Sequence, residues 1–168
     1  CGHLHLWNCE RGNKAVNHGS MEANHPLIVG IGASAGGIPA LEGFFRDMPA
    51  DSGMAFVIVT HLSPERKSLL HQVIGHHTSM PVEVVSDGQK VLPNVVYVMP
   101  ENAVMMIRDG HLRLIPSDAD RRERKPVDVF LSSLAEDQGE NAVGIVLSGG
   151  DSDGTLGAVS YTHLTLPT

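Results

Sequence analysis

The sequence predicts a doubly wound, mostly parallel α/β domain of Rossmann-like type, with an antiparallel β-hairpin excursion in its middle. Three observations carry that prediction. Short, near-continuous apolar runs at Leu27–Ala33, Met54–Thr60 and Ala142–Leu147 have the look of strands covered on both faces. Amphipathic helix patterns lie between such runs, as crossover connections require. The pair Asp109-Gly110 sits between two short strand-like segments, a strong hairpin signal.

Taken in order, the first apolar run ends in a glycine-rich turn in which Gly30, Gly32, Gly36 and Gly37 lack a Cβ, so the chain can turn sharply or be closely approached. A helix is expected over Ile38 to Phe45, with Pro39 in its first turn and Ile38, Leu41, Phe44 and Phe45 on one face. The cluster Met48 to Gly53 is a turn, and Met54 to Thr60 is the second buried strand. Pro64 to His77 reads as the next helix, its face made of Leu69, Leu70, Val73, Ile74 and His77. Pro81 to Val85 is a third short strand.

The rhythm then changes. Val95 to Met99, Val104 to Ile107 and Leu112 to Ile115 are short strands assigned together to the antiparallel excursion. Residues 116–125 form a charged loop, read either as a solvated connector or as a contact surface for an acidic partner. Pro126 opens a helix with Val127, Phe130, Leu131 and Leu134 on one face, and Gly139 is a plausible stop. Ala142 to Leu147 is the last buried strand, running into Ser148-Gly-Gly-Asp-Ser-Asp-Gly154.

Composition narrows the function classes. With 168 residues, 42% hydrophobic and 18% charged, the chain holds one globular core rather than two. A formal net charge of −7 and few aromatics argue against nucleic acid as a partner. Cys1 and Cys9 both lie in the first 25 residues and build no disulfide framework, so a cytoplasmic setting is expected. No apolar run approaches the ~20 residues that span a bilayer, so no direct membrane insertion is expected. Residues 1–25 are read as a disordered or non-native tail, with Met21 a candidate natural start. Cys1, His3, His5 and Cys9 match no zinc module, and neither metal nor cofactor is expected.

In a doubly wound sheet, ligands sit at the carboxyl ends of the strands. Three such ends here carry Ser34, His61 and Asp153. A serine hydroxyl needs a neighbouring base to become a nucleophile, and an imidazole has a suitable pKa of roughly 6.5. A carboxylate on the other ring nitrogen holds the tautomer and stabilises the imidazolium. Gly32-Ala-Ser-Ala-Gly36 also fits the G-x-S-x-G elbow string, although the order Ser, His, Asp differs from that of α/β-hydrolases. Two plainer readings stand beside this one. Ser34 could cap the following helix, and Asp151 and Asp153 could be turn formers. A nucleotide-binding reading rests on Gly30-x-Gly32-x-x-Ala35 but lacks the acid expected after the second strand, which ends in Thr60-His61.

Ile31-Gly-Ala-Ser-Ala-Gly-Gly37, Thr60-His61 and Leu147-Ser-Gly-Gly-Asp-Ser-Asp-Gly154 resemble the chemotaxis protein-glutamate methylesterase (CheB-type) catalytic domain. Tyr97-Val-Met-Pro-Glu-Asn102 and Ile107-Arg-Asp-Gly110 are similar to it as well, in family order, over residues 26–158. The resemblance implies a serine hydrolase that demethylates glutamyl methyl esters of methyl-accepting chemoreceptors and deamidates receptor glutamines. It implies Ser34 as nucleophile, His61 as base then acid, and Asp153 as orienting carboxylate, with Asp151 the alternative. Backbone N–H groups of Ala35 and Gly36, and of the Gly149–Gly150 loop, are the candidate oxyanion donors. A catalytically inactive receptor-binding module is the other reading of the same resemblance.

Some features depart from the family pattern. Ala35 stands where many relatives have threonine, and no methionine follows the first glycine of the acid loop. Twenty-five upstream residues cannot hold a receiver domain, and the Gly-Gly-Ile-Pro-Ala-Leu phrasing is similar to methylesterase domains fused to methyltransferase and sensory modules. Residues 159–168 resemble no family segment, so the catalytic domain is expected to be incomplete at its C-terminal end.

Overall fold

A computed structural model of the chain describes residues 25–60, 64–116 and 125–147. Its centre is a five-stranded sheet of β1 (Ile28–Ala33), β2 (Ala55–Thr60), β3 (Val82–Val84), β5 (Val96–Val98) and β8 (Ala142–Leu147). The strand order is β3-β5-β2-β1-β8, and every pairing is parallel. β4 (Gln89–Lys90), β6 (Ala103–Arg108) and β7 (His111–Pro116) form a separate antiparallel sheet in the order β4-β7-β6.

Alternation along the strands sorts the core into two layers. Val29, Ile31 and Ala33 of β1, with Phe56 and Ile58 of β2, face α1 (Ile38–Asp47) and α2 (Pro64–Gly75). There Leu41, Phe45, Leu70 and Ile74 are buried, and Phe44, Phe45 and Phe56 meet edge to face at 5.1–5.8 Å. On the opposite face Ile28, Ala55, Val57 and Val59 pack against α3 (Pro126–Gln138) and the hairpin residues Met105, Ile107 and Leu112. Helices on both faces make the sheet doubly wound, as expected.

Gly30 and Gly32 belong to this second layer. A Cβ on Gly30 would come 2.8 Å from Leu134 Cδ2, and one on Gly32 would collide with Val127 Cγ1. Neither residue has a positive φ, so their service is close helix approach rather than a turn.

Two parts of the middle section depart from the sequence reading. The segment assigned to the excursion at Val95 to Met99 is instead β5, inserted parallel between β2 and β3. The two-residue β4, not foreseen, pairs with β7. The Asp109-Gly110 hairpin forms as expected, with positive φ at both residues (52° and 73°). Leu69, assigned to the apolar face of α2, is 56% exposed, whereas Leu70 and Ile74 carry that face inward.

α3 is fastened to the hairpin by polar clips. Ile107 N–H donates to Ser133 Oγ (3.1 Å), whose hydroxyl donates to Phe130 O (2.8 Å). Asp109 N–H and Gly110 N–H donate to the two carboxylate oxygens of Asp137 (2.7 and 3.1 Å). Burial raises the Asp137 carboxyl, but bonds from Gln138 Nε2 and the two turn amides outweigh it and hold the group below its ordinary range. No helix among the described residues is long and apolar enough to cross a membrane.

Candidate active site at the β1 elbow

β1 enters the site as a strand buried along its whole length. Ser34 follows with φ −94° and ψ 177°, extending the strand direction one residue past Ala33. The chain then tightens into a 3-10 turn over Ala35–Gly37, closed by Gly37 N–H donating to Ser34 O (2.8 Å). α1 begins at Ile38, with Pro39 in its first turn where no amide donor is needed. Ser34 occupies the cap position of the 3-10 turn, yet its side chain makes no capping bond. The helix-cap reading of Ser34 therefore does not hold.

Register places the elbow between two strand ends. Ala33 lies opposite Thr60 of β2 on one side and Leu147 of β8 on the other. Strand β8 lies across β1 from β2, so the chain connections diverge to either side of β1, the crevice in which open α/β sheets bind ligands. A side chain at Gly37 is prevented by β8 itself, because a Cβ there would stand 2.5 Å from Leu147 O. The elbow and the end of β8 are thus held at backbone contact.

Ser34 is half-buried at this position. His61 follows Thr60 directly in the chain, and Asp151 and Asp153 follow Leu147 by four and six residues. His61, Asp151, Asp153 and the Gly149–Gly150 loop lie outside the described residues, as do Cys1, His3, His5, Cys9 and most of the charged loop. Of the oxyanion candidates, Ala35 and Gly36 open the 3-10 turn, where the first N–H groups of a helical turn have no partner within it.

The two glycines of the nucleotide fingerprint find another explanation here. The space over Gly30 and Gly32 is filled by Leu134, Leu131, Phe130 and Val127 of α3, and the second strand ends in Thr60 rather than an acid. Among the described residues, no group of three or more His, Cys, Asp or Glu could hold a metal ion.

Two buried polar residues went unremarked in the sequence. Thr60 is fully buried, and its hydroxyl has no hydrogen-bond partner among the described residues. Asp128, in the first turn of α3, is only 8% exposed. Helical spacing alone holds a signal for the latter, since Asp128 falls on the stripe of Leu131 and Ala135.

Fold and elbow together define a class: a doubly wound α/β domain that presents a serine on a strand-to-helix turn at the carboxyl edge of its sheet. A family model described as CheB methylesterase matches residues 29–162, and the chain belongs to that family. It is 34% identical over 145 residues to protein-glutamate methylesterase/protein-glutamine glutaminase 1 of Xanthomonas campestris pv. campestris, covering 84% of this chain and 40% of that protein. The like-named protein of Geobacter metallireducens is 32% identical over 164 residues, covering 92% and 44%. The crystal structure of the Thermotoga maritima CheB methylesterase catalytic domain superposes with a TM-score of 0.72 at 26% identity, covering 83% of this chain and 76% of that one. The chain thus spans about two fifths of the length of the curated relatives it matches.

Proposed function

We propose that this chain is the catalytic portion of a serine esterase that hydrolyses γ-glutamyl methyl esters on methyl-accepting chemoreceptors and deamidates receptor glutamines. The observation that carries the reading is Ser34 on a strand-to-helix elbow, flanked in register by the ends of the two strands after which His61 and Asp153 come. Family membership supports the ester chemistry. The proposed domain runs over residues 26–158, and the family match carries on to residue 162. A cytoplasmic setting and fused or associated methyltransferase and sensory modules are part of the same proposal.

In this reading Ser34 Oγ attacks the ester carbonyl carbon while its proton passes to His61. Asp153 holds the imidazole in the correct tautomer and stabilises its cation. Negative charge gathers on the carbonyl oxygen, where the N–H groups of Ala35 and Gly36 stand as preorganised donors. Collapse breaks the C–O bond, and His61 returns the proton to the departing methanol. Water, deprotonated by the same imidazole, then attacks the acyl-serine and releases a glutamate carboxylate. With a glutamine substrate the leaving group is ammonia.

The test is Ser34→Ala assayed for methanol release from methylated receptor. Loss of about 10⁴-fold or more in kcat with an unchanged unfolding midpoint is expected. Activity surviving within tenfold of the parent sinks the assignment. Receptor binding by the parent chain with no methanol release would point to the inactive interaction module instead.

A further inference from the structure

We infer that the outer face of the small antiparallel sheet docks an acidic segment of the protein substrate, at a distance from the chemistry. That the docked protein is the receptor rests on the esterase reading above. Alternation sorts the side chains of β6 and β7. Met105, Ile107 and Leu112 turn inward to the core, so Met106, Arg108 and Arg113 turn outward, where all three are exposed. Register sets His111 between Arg108 and Lys90 across the three strands, and sets Met106 beside Arg113. Gly88 leaves open the space into which Arg113 reaches, since a Cβ there would come 3.3 Å from Arg113 Nη1.

Lys90, Arg108 and Arg113 thus share one face of a chain whose formal net charge is −7. Among the described residues none of the three takes part in an ion pair. Two carboxylates in this region are already engaged. Both oxygens of Asp137 accept the turn amides, and Asp87 Oδ1 accepts Leu114 N–H (2.9 Å). Unpaired cations gathered on one side of an acidic protein favour encounter with a negatively charged partner there.

A groove of about 590 Å³ adjoins these cations, between the hairpin and α3. Met106 and Ile115 give it apolar surface, Arg108 and Arg113 line it from the sheet, and Asp109 and Glu136 are also on its wall. Met106 is 37% exposed, and its unbranched side chain adapts to what lies on it. This mixture selects among anions. A phosphate polyanion would meet Asp109 and Glu136 as well as the arginines and would leave the apolar surface unused. A polypeptide with spaced carboxylates and apolar side chains between them matches both parts.

The face is remote from the elbow. Val127 at the start of α3 meets Gly32 of β1, whereas Asp137 near the other end of that helix holds the hairpin turn. The helix rises about 15 Å between the two. Arg108 adjoins the turn, so it acts on binding and not on the reacting atoms.

The experiment uses the full chain carrying Arg108→Glu and Arg113→Glu, singly and together. Arg46→Glu, on α1 across the central sheet, is the control for charge change. Calorimetry measures affinity for the soluble cytoplasmic region of a methylated receptor, beside kcat and KM for methanol release and thermal unfolding. The double variant is expected to lose about tenfold in affinity and to raise KM equally, at near-constant kcat and a parental unfolding midpoint. Raising salt from about 50 to about 500 mM should shrink that loss to less than about threefold. Affinity within about twofold of the parent in the double variant would overturn the inference, because two reversed contacts should exceed that. An equal loss in Arg46→Glu, or a loss that merely follows unfolding, would overturn it too. So would unchanged receptor affinity with lost binding to vesicles of anionic phospholipid, which would assign the face to a membrane. Methanol release with parental KM in the double variant removes only the docking surface. A parent chain that binds receptor through these arginines but releases no methanol removes the esterase reading and keeps the docking surface.

Discussion

Replacing Gly37 with alanine tests whether the elbow depends on backbone contact with β8. The added Cβ would stand 2.5 Å from Leu147 O and 3.3 Å from both Leu147 C and Ala33 Cβ, where ordinary contact begins at 3.4 Å. Relief demands that the carbonyl retreat by roughly 0.9 Å, and it belongs to a strand backbone paired with β1 rather than to a side chain that can rotate. Overpacking of this kind costs about 1–3 kcal/mol, which for a domain of this size lowers the melting midpoint by roughly 2–12 °C. A displacement near 1 Å at the elbow should reduce ester hydrolysis by about 100-fold. The activity loss is therefore expected to exceed what unfolding explains at 25 °C. Gly43→Ala is the control, since Gly43 lies inside α1 with nothing within 4 Å of its Cβ position. That change should stabilise the chain by about 0.5–1 kcal/mol and leave hydrolysis untouched. If Gly37→Ala melts and hydrolyses like the parent, the β8 contact does not shape the elbow and the geometric reasoning is wrong.

Two further outcomes concern the clips between α3 and the hairpin. Ser133→Ala leaves the Ile107 amide without its acceptor in a buried site and should cost about 1–3 kcal/mol by urea denaturation, and parental stability would refute the clip. Asp137 has a depressed carboxyl pKa, so its stabilising effect is complete above the unfolded value of about 3.9 and drains away as pH falls through the lower folded value. Urea midpoints between pH 5 and pH 2 should therefore fall less steeply for Asp137→Asn than for the parent. Equal slopes would show that the turn amides do not bind the ionised form preferentially.

Much of the frame was legible because it is local. Ala142–Leu147 is a strand because an apolar run of that length between polar segments has few other folded forms. Asp109-Gly110 marks a hairpin because the turn requires positive φ at two successive residues, which this pair tolerates. Pro126 and Gly139 bracket α3 for equally local reasons, one lacking an amide donor and the other taking φ of 52° at the helix end. Ser34 could be located on its turn from the glycine pattern alone.

Partner choice was not legible. Val96–Val98 has strand propensity, but nothing in those residues says that they enter the central sheet in parallel between β2 and β3. The same limit applies to Gly30 and Gly32, whose reason lies in Val127, Phe130, Leu131 and Leu134, some hundred residues later. The sequence by itself determined the alternating strands and helices, the elbow and its serine, because periodicity and backbone sterics act over a few neighbouring residues. Only the tertiary structure decided that α3 lies against the glycines of β1, that β8 closes on Gly37, and that Asp128 is buried in the first turn of α3. Those are contacts between segments far apart in the chain, and close packing settles them only when the segments meet.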